Sequence, residues 1–163
     1  ASAWAGLNDE ADNFTNTNAD VMHLHGLGGD DTLIGGAHSE SFYGGSGDDT
    51  LTGNGGADIF VYQYNNAGHD IITDFNSGEG DVIDISHSLQ VTVTSANISD
   101  YVDFAASTAG PEGVTFSVRT NGVGDITDGV KGDGVDYTIT VLGLDFASVD
   151  LVAMVDAGSL DIV

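Results

Sequence analysis

The sequence predicts an all-β chain: a right-handed parallel β-roll of nine-residue repeats, then a β-rich C-terminal domain with a short helix. Three observations carry this expectation. A nonapeptide period runs from Gly26, acidic and apolar residues recur in phase within it, and strand-like alternation continues after the period stops.

The period is read directly. From Gly26 the chain runs GLGGDDTLI, GGAHSESFY, GGSGDDTLT and GNGGADIFV, four consecutive units. The first position is Gly26, Gly35, Gly44 and Gly53; the sixth is Asp31, Glu40, Asp49 and Asp58; the eighth is Leu33, Phe42, Leu51 and Phe60. Glycine lets the backbone take the positive φ of tight turns. The apolar eighth residue sits in mid-strand and points inward, and threonines such as Thr32 and Thr50 suit outward β positions. Two units make one coil, so turns on the same side are 18 residues apart. Stacking then sets Asp31 beside Asp49 with Asp70 beyond it, and Glu40 beside Asp58 on the opposite edge.

The acid-x-apolar element also occurs at Asp12–Phe14, Asp20–Met22 and Asp70–Ile72, with irregular spacing. Residues 1–25 therefore read as a lead-in of degenerate capping turns and 26–75 as the roll. Residues 65–73 (NNAGHDIIT) supply its last turn, and 76–163 form the C-terminal domain. In that domain GEGD reads as a turn between two short strands. Further strands are expected at 89–95, 113–120 and 136–142 (DYTITVL), and a helix at 147–157, where apolar residues fall near helical spacing.

Charge decides what the roll needs. The 163 residues include 26 acids and two bases, a net charge of −24, yet 40% of them are hydrophobic and periodically placed. Carboxylates stacked a few ångströms apart repel strongly without a counter-ion. A multivalent cation is the natural neutraliser. Carboxylate and carbonyl oxygens, with no thiolate or imidazole in the pattern, select Ca²⁺ over zinc or copper. At millimolar calcium a site of ~10⁻⁴–10⁻³ M affinity contributes roughly 0.4–1.4 kcal/mol. Several such ions decide whether a domain of ~5 kcal/mol folds.

The same composition removes other classes. Only Lys131 and Arg119 could meet phosphates, which argues against nucleic acid and anionic membrane surfaces. No apolar run reaches the ~20 residues of a membrane helix, so no membrane insertion is expected. There is no cysteine for a disulfide staple. The chain begins at Ala1 with no visible signal peptide, and reads as a monomeric module of a longer chain. No paired-histidine zinc-protease pattern occurs, and no serine has glycines two residues away on both sides, so no enzyme is expected. Ser46 in GGSGD is explained by its place in the repeat. His23 and His25 share a strand face but lack a third ligand, and read as surface histidines; His38 and His69 read as turn filler. An alternative function is a β-roll face that binds ice, sugar or another surface. Its outward column of Thr32, Ser41, Thr50 and Ile59 is short and irregular.

The units resemble the repeats-in-toxin (RTX) nonapeptide, glycine-glycine-x-glycine-x-aspartate-x-apolar-x, and GGSGDDTLT (44–52) matches it at every position. The resemblance implies ions lying between stacked turns, held by aspartates and turn carbonyls. One site would use Asp31 and Asp49 with the carbonyls of Leu27, Gly29, Gly44 and Ser46. A second would use Asp58 with those of Gly36, His38, Gly53 and Gly55. A third would use Asp49 and Asp70 with those of Gly45, Gly47, Asn65 and Ala67. Glu40 counts with the metal-site acids as well, although its unit departs from the pattern, with His38 for glycine and Glu40 for aspartate.

The stretch HDIITDFNSGEGDVIDIS (69–86) resembles the segment after the roll in type I secreted proteins. The whole layout is similar to the C-terminal target domain of type I secretion substrates, especially large bacterial adhesins. This implies a secreted, extracellular or cell-surface protein whose partner is an ABC transporter complex. It also implies a roll kept unfolded by low cytosolic calcium and folded outside.

Overall fold

The computed structural model describes residues 3–17, 22–63, 68–89, 93–94, 97–106, 113–119, 137–144, 154–155, 158 and 160–161. Two sheets face each other. One holds β1 (Ala3–Gly6), β3 (Met22–Gly28), β5 (Ser41–Ser46), β7 (Ile59–Val61), β9 (Val82–Asp84) and β13 (Leu160–Asp161), in that order and all parallel. The other contains β2 (Asn13–Thr15), β4 (Thr32–Ile34), β6 (Thr50–Thr52), β8 (His69–Ile72), β10 (Val102–Ala106), β11 (Gly113–Val118) and β12 (Tyr137–Leu142). Its order is β10-β11-β12-β8-β6-β4-β2.

Successive units alternate between the sheets, and the 18-residue coil sets the register. Leu33 lies opposite Leu51, Thr32 opposite Thr50, and Phe42 opposite Phe60. The eighth-position residues point inward: Leu33, Phe42, Leu51 and Phe60 are fully buried, with Leu24, Ile72 and Ile83 in the same core. Phe42 stacks on Phe60 with centroids 5.1 Å apart. Burial of each such side chain stabilises the roll by about 1.5–3 kcal/mol. These strands are only three to seven residues long and gain their stability from stacking on the next coil.

The turns stack as closely as the strands. Gly47 has φ +125°, and a Cβ there would overlap the carbonyl oxygen of Gly29 in the preceding coil. Only glycine satisfies both conditions.

Both sheets run on across residue 75. The strands expected at 113–120 and 136–142 form as β11 and β12, paired antiparallel, with β12 docked parallel on β8. β10, which the sequence reading missed, adds to β11, and β13 extends the other sheet from β9. Tyr62 stacks on Tyr137 (5.3 Å, 4°), and the Tyr137 hydroxyl bonds to Ser88 Oγ at 2.6 Å. His69, expected as turn filler, lies in β8, with Nδ1 2.6 Å from Thr138 Oγ1. Of the strand expected at 89–95, Leu89, Val93 and Thr94 carry no strand, and 90–92 and 95 lie outside the described residues. Of the helix expected at 147–157, Met154 and Val155 are helical and the rest lies outside them. A 3₁₀ turn forms at Ile98–Asp100.

Candidate metal centre

The sixth-position acids build a ladder along each edge of the roll. On one edge the amide of Asp12 donates to Asp31 Oδ1 (2.8 Å), that of Asp31 to Asp49 Oδ1 (2.9 Å), and that of Asp49 to Asp70 Oδ1 (3.0 Å). On the other, Asn16 Nδ2 donates to Glu40 Oε1 (3.2 Å), the Glu40 amide to Asp58 Oδ1 (2.8 Å), and the Asp58 amide to Asp81 Oδ1 (3.0 Å). One oxygen of each acid thus closes the amide of the coil before it, which a neutral apolar residue could not do.

The second oxygen turns into the acid's own loop. Asp31 Oδ2 and Asp49 Oδ2 are buried with no hydrogen-bond partner, on residues 1% exposed. A Cβ at Gly26 would overlap Asp31 Oδ2, and one at Gly44 would overlap Asp49 Oδ2, which explains glycine at the first position. The neighbouring turn supplies carbonyl oxygens at the same level. Cβ atoms built on Gly26, Gly45 and Gly47 would overlap the oxygens of Gly44, Leu27 and Gly29, and one on Gly68 would overlap that of Gly47. The Gly44 carbonyl thus lies close to Asp31 Oδ2, while the carbonyls of Leu27 and Gly29 face Gly45 and Gly47 of the next turn. The Ser46 carbonyl accepts the Gly29 amide at 3.0 Å.

Around Asp58, a Cβ on Gly53 would overlap Asp58 Oδ2. The Gly36 carbonyl accepts the Gly55 amide (3.2 Å), and the His38 carbonyl packs on Gly56. Asp70 joins Asp49 through the Asp49 amide, and the Gly47 carbonyl packs on Gly68; Asn65 and Ala67 lie outside the described residues. Among the described residues no three histidine, aspartate or glutamate side chains converge as a metal cluster. Any cage here combines one or two carboxylates with turn carbonyls.

Electrostatics give the arrangement its chemistry. Burial, reinforced by the neighbouring acids, pushes the Asp49 carboxyl up to about 6 and that of Asp58 up to about 7. Asp70 is pushed up to about 8, chiefly by burial, and Asp31 is raised by the same cause. The buried Tyr62 hydroxyl beside Asp70 partly offsets this, though it closes no hydrogen bond of good geometry. A carboxylate that is dry, stacked on its like and raised this far needs a proton or a cation. The partnerless oxygens and the carbonyl cradle fit a hard divalent cation.

Several participants were missed by the sequence reading. Asp81 ends the second ladder, and its unit NSGEGDVID keeps the acid at the sixth position and Ile83 at the eighth. It follows Asp58 by 23 residues instead of 18, which hid it. Asp74 accepts the amides of Gly53 (2.9 Å) and Asn54 (2.8 Å), holding that turn from outside the repeat. Asp30 and Asp48 form a shorter outer ladder, the Asp48 amide donating to Asp30 Oδ1 (2.9 Å) and the His69 amide to Asp48 Oδ1 (2.9 Å).

Other clusters carry less. His25 is half-buried and stacked on Tyr43 (4.1 Å, 7°), and burial lowers its pKa. Asp84, Ser86 and His87 meet in a turn, but Ser86 Oγ donates to Asp84 Oδ1 at 2.6 Å. The aspartate holds the serine directly, which is not the order of a nucleophilic triad.

The coils, the glycine cradles and the paired acid ladders define an RTX-type β-roll. The chain belongs to the family described as Peptidase M10 serralysin C terminal, whose model matches residues 8–153. That domain is the RTX-type calcium-binding, non-catalytic C-terminal part of serralysin-like proteins, typical of type I secreted proteins. No curated protein matches the chain. Among solved structures it is similar to the AlgE6R3 subunit of the Azotobacter vinelandii mannuronan C5-epimerase. The identity is 23% and the TM-score 0.59, covering 94% of this chain and 79% of that one. It is also similar to the extracellular lipase LipA from Serratia marcescens, at 20% identity and TM-score 0.63. That match covers 98% of this chain and 21% of the lipase, so the chain spans about a fifth of its length. At these identities the likeness is one of fold.

Proposed function

We propose that this chain is the calcium-dependent C-terminal export module of a secreted RTX protein, a large adhesin, and is not itself an enzyme. One observation carries the reading: Asp31 Oδ2 and Asp49 Oδ2 are buried without partners, each against the first-position glycine of its own turn, Gly26 and Gly44. Ca²⁺ would be held by Asp31 and Asp49 with the carbonyls of Leu27, Gly29 and Gly44. Further ions would lie at Asp49 and Asp70, and at Asp58, which Asp81 joins. Bound calcium supplies the positive charge that lets the ladders ionise without opening the roll.

The chain's own residues do the rest. Amides of the preceding coil orient one oxygen of each acid, glycines leave room for the other, and Leu33, Phe42, Leu51 and Phe60 keep water out. At low calcium the repulsion of stacked acids keeps residues 26–75 open, the form able to thread an ABC transporter. Outside the cell, calcium closes it, and closure opposes return. Residues 76–163 carry the address for that machinery. The test has two arms. Circular dichroism should show strand content rising cooperatively with calcium, and the chain should direct a fused passenger through a type I exporter. A roll that stays folded in chelator refutes the gating, and a passenger retained in the cell refutes the export role.

A second reading, surface binding including ice, is favoured by one feature. Asn13, Thr32, Thr50, Ile71, Thr140 and Thr115 occupy successive register positions across one sheet. Ser41 and Ile59, expected in the same column as Thr32 and Thr50, instead lie on the opposite sheet. The threonine row is broken by Ile71, and the Thr115 and Thr140 hydroxyls bond to each other at 2.9 Å. Thermal hysteresis in the folded, calcium-loaded chain would establish this reading; its absence leaves the export role.

A further inference from the structure

Two of the turns of the roll contrast with a third. In those of Asp31 and Asp49 the second carboxylate oxygen is buried and partnerless. Their second and fourth positions are left-handed: Leu27 has φ +77°, Gly29 +98°, Gly45 +110° and Gly47 +125°. The turn ending at Glu40 is different on both counts. Glu40 is buried, yet each of its oxygens is used: Oε2 accepts the Gly36 amide at 2.9 Å and Oε1 accepts Asn16 Nδ2 at 3.2 Å. Neither Gly36 nor His38, its second and fourth positions, has positive φ.

The sequence explains the difference. At its fourth position this unit has His38 where the others have glycine, and a left-handed residue with a Cβ costs about 1–2 kcal/mol. The turn therefore takes another path and does not present the same cradle. The extra methylene of glutamate then carries the carboxylate across to the Gly36 amide, while Asn16, buried beneath, caps its other oxygen.

We propose that the Glu40 turn is a metal-free clasp. Glu40, tied to Gly36 and Asn16, fills with its own side chain the place that calcium takes beside Asp31 and Asp49. The inference rests on the calcium reading above and narrows it, removing the Gly36–Glu40 turn from the set of ion-binding turns. One edge of the roll is thereby gated by metal along its length, while the other starts from a turn that closes without it.

The test is the number of calcium ions bound per chain, measured by equilibrium dialysis of the full chain at millimolar calcium, with circular dichroism to check folding. Glu40→Gln keeps the length and the acceptor for Gly36, and Asn16 can turn its amide to face the new one. It should bind as many ions as the parent, with a titration midpoint within twofold. Asp49→Asn should bind fewer. The double variant His38→Gly/Glu40→Asp restores the repeat pattern and should bind one ion more than the parent. Loss of an ion in Glu40→Gln, or an unchanged count in the double variant, overturns the clasp while leaving calcium at Asp31 and Asp49 intact. A full count in Asp49→Asn overturns the calcium reading itself, and the clasp with it.

Discussion

Replacing Asp49 by asparagine should move stability in opposite directions with and without calcium. In the metal-free roll the Asp49 carboxyl sits at about 6, against 3.8 when unfolded, because it is buried beside Asp31, Asp30 and Asp48. Holding it ionised at pH 8 would cost about 3 kcal/mol at full strength, and solvent screening at the edge of the roll brings this to about 2 kcal/mol. The substitution removes that cost and keeps a side-chain oxygen for the Asp31 amide, which donates to Asp49 Oδ1 at 2.9 Å in the parent. The neutral acceptor is weaker by about 1 kcal/mol. The net expectation in chelator is a gain of about 1 kcal/mol. With calcium the sign reverses, because Asp49 faces both the Asp31 and the Asp70 sites. Loss of two sites worth roughly 0.4–1.4 kcal/mol each removes about 0.8–2.8 kcal/mol of calcium-linked gain, which over most of that range outweighs the gain of about 1 kcal/mol. The folded fraction by circular dichroism at pH 8, in chelator and across a calcium titration, measures both. A variant destabilised equally in the two conditions, or one with an undiminished calcium increment, refutes the reasoning.

Other predictions follow from the same geometry. Gly47→Ala combines φ +125° with a Cβ against the Gly29 carbonyl, so it should lower stability in calcium by at least about 2 kcal/mol in urea unfolding. Phe42→Ala empties the centre of the core beside Phe60 and should cost about 3–5 kcal/mol in the same assay. In chelator the roll should hold more strand structure, read by circular dichroism, at pH 5 than at pH 8. The folded pKa values of Asp49, Asp58 and Asp70 lie above the unfolded value of 3.8, at about 6, 7 and 8. Their contribution is thus fully present below about pH 4 and is lost as pH rises through those values. Strand content in chelator that rises with pH would contradict this.

What was legible in the sequence is what repeats at fixed spacing. The pairing of Asp31 with Asp49, Glu40 with Asp58 and Phe42 with Phe60 follows from a coil of 18 residues. Asp70 was readable across a spacing of 21 because the acid-x-apolar element survived there. Asp81 was not, since the insertion before it broke the period while the fold kept the stack. The docking of β12 on β8 joins Thr138 to His69, nearly seventy residues apart, and no local pattern encodes such a partner. The self-closed Glu40 was visible only as a departure from the repeat. Its meaning lies in Asn16 and Gly36, which three-dimensional packing brings to it.

Ions bridging the orphaned carboxylate oxygens of stacked turns are the central expectation. A crystal structure grown in millimolar calcium, with anomalous scattering to identify the ions, tests this most directly. It should show calcium about 2.3–2.6 Å from Asp31 Oδ2 and Asp49 Oδ2 and from the nearby turn carbonyls. Ordered turns holding only water at those oxygens would contradict it.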